Sequence, residues 1–271
     1  MILKDIINKS HYGSVGYISN LEDIARLEQY IIYNFPVLKE FINVITSTTY
    51  VDNNSELRIQ LENTWKKYFP NSIHLDRGIS RGHNLGAADN DYNIGNYCKL
   101  NSISWVCKSA NDMIFTSDML NINIEEADFY YLTGIGYGGV QDYKFDIPFI
   151  MKDLFYPQTN FYFINMDKVD YINDMSFLEE SFIYASSQPG FNGRVFDYVD
   201  GTQCEQLLRS TIYRNKLKYY HLLDDKTYEQ LLLSIQKYQV ADGSHKNIMV
   251  DGICHFHFPE GDILEINNIN K

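Results

Sequence analysis

Between Asp76 and Phe115 the chain passes through a glycine-rich stretch, a helix, a buried strand and an acidic strand end, and this order constrains it more than any other feature. The stretch is Asp76-Arg77-Gly78-Ile79-Ser80-Arg81-Gly82-His83-Asn84-Leu85-Gly86. A helix over 89–100 and a strand from Ile103 to Lys108 follow, and then Ser109-Ala110-Asn111-Asp112. In an open α/β sheet, ligands sit outside the carboxyl ends of the strands. The loop and Asp112 are therefore expected to face one pocket.

The residues before that stretch follow the same rhythm. Ser14 to Ser19 reads as a strand, and Leu21 to Tyr33 as a helix with Asn20 as its cap and Pro36 as its end. Phe41 to Ser47, rich in β-branched residues, is a second strand. A helix capped by Asn53 or Asn54 runs to Tyr68, and Ile73 to Leu75 is a short third strand. Strands alternating with helices imply βαβ crossovers and a mainly parallel sheet flanked by helices.

Beyond residue 120 the pattern changes to aromatic strands (128–132 and 161–164) around Gly134-Ile135-Gly136-Tyr137-Gly138-Gly139. Helices near 175–187, 203–215 and 225–238 follow, and Gly252 to Phe258 is a last strand. The expected architecture is one compact α/β unit of two abutting lobes, residues 1–125 and 126–271, with the last strand closing the site.

Charge narrows the partners. A formal charge of −12 opposes wrapping of nucleic-acid phosphates, which needs clustered Lys and Arg. No apolar run approaches the ~20 residues of a membrane span, and Met1 to Ile7 is too short and too soon charged for a signal segment. Cys98, Cys107, Cys204 and Cys254 are scattered in apolar or helical contexts, as expected of reduced thiols in a cytoplasmic protein.

The glycine stretch, the helix, the strand Trp105 to Lys108 and Ala110-Asn111-Asp112 together resemble the GT-A class of nucleotide-sugar-dependent glycosyltransferases. The likeness is to small family-2 members and bacteriophage glycosyltransferase-like proteins, and it is carried by residues 13–120. It implies a GT-A, Rossmann-like fold. It also implies a nucleoside diphosphate sugar as donor, with a UDP-sugar the first candidate, a carbohydrate or other hydroxyl acceptor, and Mn²⁺ or Mg²⁺. In that class the first strand and its loop hold the base, which puts Ser19 and Asn20, with Ser47 on the second strand, among the donor-binding candidates. Where the class usually shows a D-x-D motif, this chain has Ala110-Asn111-Asp112. A single carboxylate with phosphate and water can still hold Mg²⁺, which keeps several non-protein ligands.

Each candidate carries a structural alternative. Asp112 is a metal ligand or a cap for a helix near 116–120, and Asn111 would bond the ribose, the sugar or a metal-bound water. Arg81, His83 and Asn84 bind the donor diphosphate with the freed glycine-loop amides, or belong to a solvated turn. Lys108 serves the site or makes a strand-end salt bridge. Ile253, His255 and His257 share one strand face; the two histidines complete the metal site, as the resemblance implies, or are structural. Glu205 is the base that deprotonates the acceptor hydroxyl, with Asp200 as runner-up, or the acid of a capping box with Thr202.

Two rival functions stand beside transfer. A nucleotidyltransferase would show a glycine-rich signature with Arg after the first strand, which Gly16 to Asn20 lacks. A binding module of the same fold needs no second carboxylate.

Overall fold

The computed structural model describes residues 1–50, 55–79, 83–111, 113–133, 157–170, 172, 208, 211–212, 214–222 and 252–255. A short helix α1 (Leu3–Ile7) leads into β1 (His11–Ile18), α2 (Leu21–Leu38), β2 (Val44–Tyr50), α3 (Ser55–Tyr68), β3 (Ile73–Ile79), α4 (His83–Leu100) and β4 (Trp105–Ala110). Then come β5 (Met113–Phe115), a 3-10 turn (Ser117–Asn121), β6 (Phe129–Thr133), β7 (Pro157–Asn165), β8 (Tyr219–His221) and β9 (Ile253–His255).

Seven strands form one sheet in the order β3-β2-β1-β4-β7-β6-β8, while β5 and β9 pair separately. β3, β2, β1 and β4 are parallel neighbours, β7 runs antiparallel to β4 and β6, and β8 is parallel to β6. This is the expected α/β class, a mixed and mainly parallel sheet flanked by helices. Strands from both sides of residue 125 share it.

The sheet separates two apolar clusters, and strand alternation assigns residues to them. On β4, Trp105 and Cys107 join the cluster with α1, α2 and α3, whereas Val106 joins the one with α4. On β7, Phe161 and Phe163 face the first, and Tyr162 and Ile164 the second. Cys98 and Cys107 are buried free thiols, and burial pushes the Cys98 thiol up to about 12, so both behave as small hydrophobes.

Several elements depart from the sequence expectation for local reasons. α2 runs on to Leu38 with Pro36 inside its last turn, where the proline forgoes the one bond to the Ile32 carbonyl and the helix ends two residues later. Asp76 to Ile79, expected as loop, extends β3, and α4 begins at His83 instead of residue 89. β2 starts at Val44 because Ile42 N–H turns aside to bond the Ser10 carbonyl. The 3-10 turn is capped by Thr116, whose side chain accepts from Asp118 N–H.

Candidate functional site

β1 lies between β2 and β4, so the chain reverses its direction of strand addition there: β2 and β3 extend one side and β4 the other. Such a reversal opens a crevice at the carboxyl ends of the two diverging strands. α4 connects the end of β3 to the start of β4, so it runs back across the sheet with its first turn at this same carboxyl edge.

Asn111, just past β4, is turned across β1. Its Oδ1 accepts from the Ser14 hydroxyl at 2.5 Å. Its amide nitrogen occupies the space that a side chain on Gly16 would fill, so residue 16 must be glycine for Asn111 to lie there. The carboxamide expected to bond a donor is thus seated over the carboxyl-terminal half of β1, at the crevice.

The face beneath α4 is unusually polar. Asp89, Asn90 and Asp91 are consecutive and all buried. Asn90 Oδ1 accepts from Ser47 Oγ at 2.8 Å, Asn93 Nδ2 donates to the same hydroxyl at 3.2 Å, and Asn90 Nδ2 reaches the Gly16 carbonyl at 3.4 Å. Ser47 is therefore held inside the interface between α4 and the sheet, with no exposed surface. Lys108 is interior too. Its Nζ lies 3.1 Å from Asp91 Oδ1, with both side chains 4% exposed. Asp91 Oδ1 has no aligned hydrogen-bond partner, so this is a charge contact, while Tyr162 donates its hydroxyl to Oδ2 at 3.3 Å. Burial pushes the Asp91 carboxyl up, and Lys108 and the Tyr162 hydroxyl oppose it.

Ser19 and Asn20 follow β1 and serve the start of α2. Asn20 Oδ1 accepts from Asp23 N–H at 3.1 Å, and Asp23 Oδ2 accepts from Ser19 N–H at 2.8 Å and Ser19 Oγ at 2.5 Å. The bond from Asp23 N–H satisfies a helix donor that would otherwise be orphaned, and those from Ser19 hold the chain that enters α2.

The C-terminal strand reaches the same end of the molecule. β9 pairs antiparallel with β5, setting His255 opposite Met113, one residue from Asp112. Gly252, at φ +79°, starts this strand with its carbonyl on Thr116 N–H at 2.8 Å; a side chain there would strike the 3-10 turn. The other edge of β5 is closed by Asn34 of α2, which donates to the Met113 carbonyl at 3.0 Å and accepts from Phe115 N–H at 2.7 Å. Ile253, at the start of β9, is buried in the core.

Arg81, Asp112, Asp200, Glu205 and His257 lie outside the described residues, as does the 134–139 glycine segment. For His83 and Asn84 the structure gives the backbone, in the first turn of α4, and for His255 its place in β9. Among the described residues no group of three His, Cys, Asp or Glu is clustered to hold a metal. Likewise none of their helices is long and apolar enough to cross a membrane.

Ser14, Gly16, Asn34, Asn90 and Asp91 were missed by the sequence reading. The signal for Asn90 and Asp91 was present: three polar residues in a row inside a helix that has to pack on a sheet. Nothing local marked Ser14 or Asn34, whose partners are 97 and 79 residues away.

No protein-family model and no curated protein sequence matches the chain. Among solved structures, it is similar to the apo form of the glycosyltransferase GlyE of Streptococcus pneumoniae TIGR4. That match has TM-score 0.42 and 12% identity, over 94% of this chain and 57% of GlyE. It is similar also to a nucleoside-diphosphate-sugar pyrophosphorylase of Vibrio cholerae RC9, with TM-score 0.42 and 9% identity, over 78% and 91% of the two chains. The chain thus spans a little over half of GlyE's length. Neither likeness bears on what this chain does.

Proposed function

We propose that this chain is a glycosyltransferase that moves a sugar from a nucleoside diphosphate sugar, a UDP-sugar first among candidates, to an acceptor hydroxyl with the help of a divalent metal. The reading rests on the resemblance of residues 13–120. One observation supports it most: Asn111 lies across the end of β1, at the crevice between the diverging strands β1 and β4. The donor would lie in the half formed by residues 1–125 and the acceptor against residues 126–271.

The metal's donor set would be Asp112 with His255 or His257. A carboxylate with imidazole suits Mn²⁺, and the pairing of Met113 with His255 supports their proximity. When bound, the ion supplies positive charge to the departing diphosphate. Arg81 and the amides around it, with His83 and Asn84 at the start of α4, would add donors to the same phosphates. Asn111 would orient the donor, Ser19 and Asn20 would contact the base from the β1 loop, and Glu205 or Asp200 would take the acceptor proton. For a phage-encoded protein the setting would be the host cytoplasm.

A second reading, a nucleotide- or carbohydrate-binding module without transfer, is favoured by Ala110 standing where the D-x-D motif has its first carboxylate and by the bond of Asn111 inward to Ser14.

Thermal-shift titration with UDP, GDP, CDP and ADP, each with and without Mn²⁺, tests the donor site, because a ligand that binds only the native state raises the melting temperature. Metal-dependent stabilisation by one nucleotide, abolished in Asp112→Asn, is expected. Release of free nucleotide from the matching nucleotide sugar then separates transfer from mere binding. No shift with any nucleotide would remove the donor reading.

A further inference from the structure

Burying Asp89, Asn90 and Asp91 under α4 brings no evident gain in stability over apolar residues, since desolvating an ion pair offsets most of its attraction and well-packed apolar replacements are often neutral or better. What polar contacts add is direction. Asn90 touches β1 and β2, and Asp91 touches Lys108 on β4 and Tyr162 on β7, so these two neighbouring residues bind α4 to four adjacent strands. An apolar interface allows the helix to slide or roll by part of a turn; a buried ion pair resists any movement that draws its charges apart. Lys108 stands three residues before Asn111, and Asp91 two turns after the start of α4.

We propose that Asp91 and Lys108 are positioning residues: their buried pair, steadied by Tyr162, fixes α4 over the sheet so that the first turn of the helix stays at the carboxyl edge. That these elements meet a donor diphosphate rests on the reading above; the fixing of α4 does not.

The test uses the full chain with the apolar pair Asp91→Leu/Lys108→Met, read by thermal melting, by amide hydrogen exchange over residues 86–94, and by UDP titration with Mn²⁺. The expected result is a melting temperature close to that of the parent, exchange over 86–94 at least tenfold faster, and, where the parent binds UDP, affinity at least tenfold weaker. A purely structural pair would not separate melting from local exchange. Parent-like exchange over 86–94 overturns the proposal, as does faster exchange spread over the whole chain with a lowered melting temperature. If the double variant does not fold, Tyr162→Phe decides: it removes only the hydroxyl bond, and exchange over 86–94 should rise severalfold, whereas an unchanged rate overturns the proposal. A parent that binds no UDP counts against the donor reading alone, because exchange still decides the role of the pair.

Discussion

Both faces of the sheet carry an apolar cluster, but the helices over them pack differently near the crevice. α2 and α3 lie over one face with Leu27, Ile31, Leu57, Leu61 and Trp65, all nearly inaccessible, in a continuous apolar cluster. α4 covers the other face at the crevice with a polar turn in which Asn90 and Asp91 meet particular partners on the strands. Apolar packing is non-directional and scales with area, so the first face supplies cohesion. The second spends buried volume on polar groups that must each be paired, and gains a defined geometry next to the crevice. Stability and placement are thus divided between the two sides.

The contrast breaks most sharply at Asp91. Asp91→Ala takes its carboxylate from the buried Lys108 ammonium, and loss of one member of such a pair costs about 3–5 kcal/mol. Urea denaturation should show a large fall in midpoint for the single variant and little change for Asp91→Leu/Lys108→Met. Equal losses in both would mean that this face works by ordinary cohesion after all. On the other side, Ile31→Ala removes a side chain with no exposure and should cost about 2–5 kcal/mol, according to how far the site collapses. No partner residue exists whose replacement would restore it. A near-neutral result would show that the apolar face holds slack that the structure does not reveal.

Asn34 sharpens the comparison, being a polar residue within the apolar face. It closes the free edge of β5 with one bond to a carbonyl and one from an N–H, as a neighbouring strand would. Asn34→Ala strands both buried groups, at about 1–3 kcal/mol each way they are left unsatisfied. Amide exchange should rise first at Phe115. If the loss is global, with no local opening at β5, Asn34 is part of the cohesive core and the division of labour is less clean.

The same division explains what was legible in the sequence. β1, α2, β2 and α3 follow apolar periodicity because apolar burial is what forms them, and Asn20 was readable as a cap from its place before Leu21. The start of α4 was not legible. Gly86 reads as loop, and Asp89-Asn90-Asp91 breaks the amphipathic pattern by which a helix is recognised, since their partners are on distant strands. Asp76 to Ile79 reads as loop for its glycine and charges, yet pairs with β2. At the site, Asn111 and Lys108 were picked out by position, but their directions were beyond reach. One turns over Gly16 and the other inward to Asp91, and both depend on contacts absent from local sequence. Ser19 and Ser47 likewise proved to have structural bonds that spacing alone does not disclose.

The smallest expected effect lies in pH. His74, on β3, has one ring nitrogen 2.8 Å from the Thr46 hydroxyl and the other 3.0 Å from Ser72 Oγ. Burial lowers its pKa, with Glu62 opposing, and His11 is lowered by burial as well. A histidine that resists protonation when folded binds fewer protons than in the unfolded chain, so stability rises with pH over this range. The contribution is complete above the ordinary histidine value of about 6.5 and is lost as pH falls from there through the folded value. Midpoints of urea unfolding should therefore decline from pH 7 to pH 5, and His74→Gln should flatten the slope without removing it, since His11 still titrates. If the slope of the variant equals that of the parent, the two hydroxyls accommodate a charged ring, and the apolar face tolerates protonation at its edge as readily as water does.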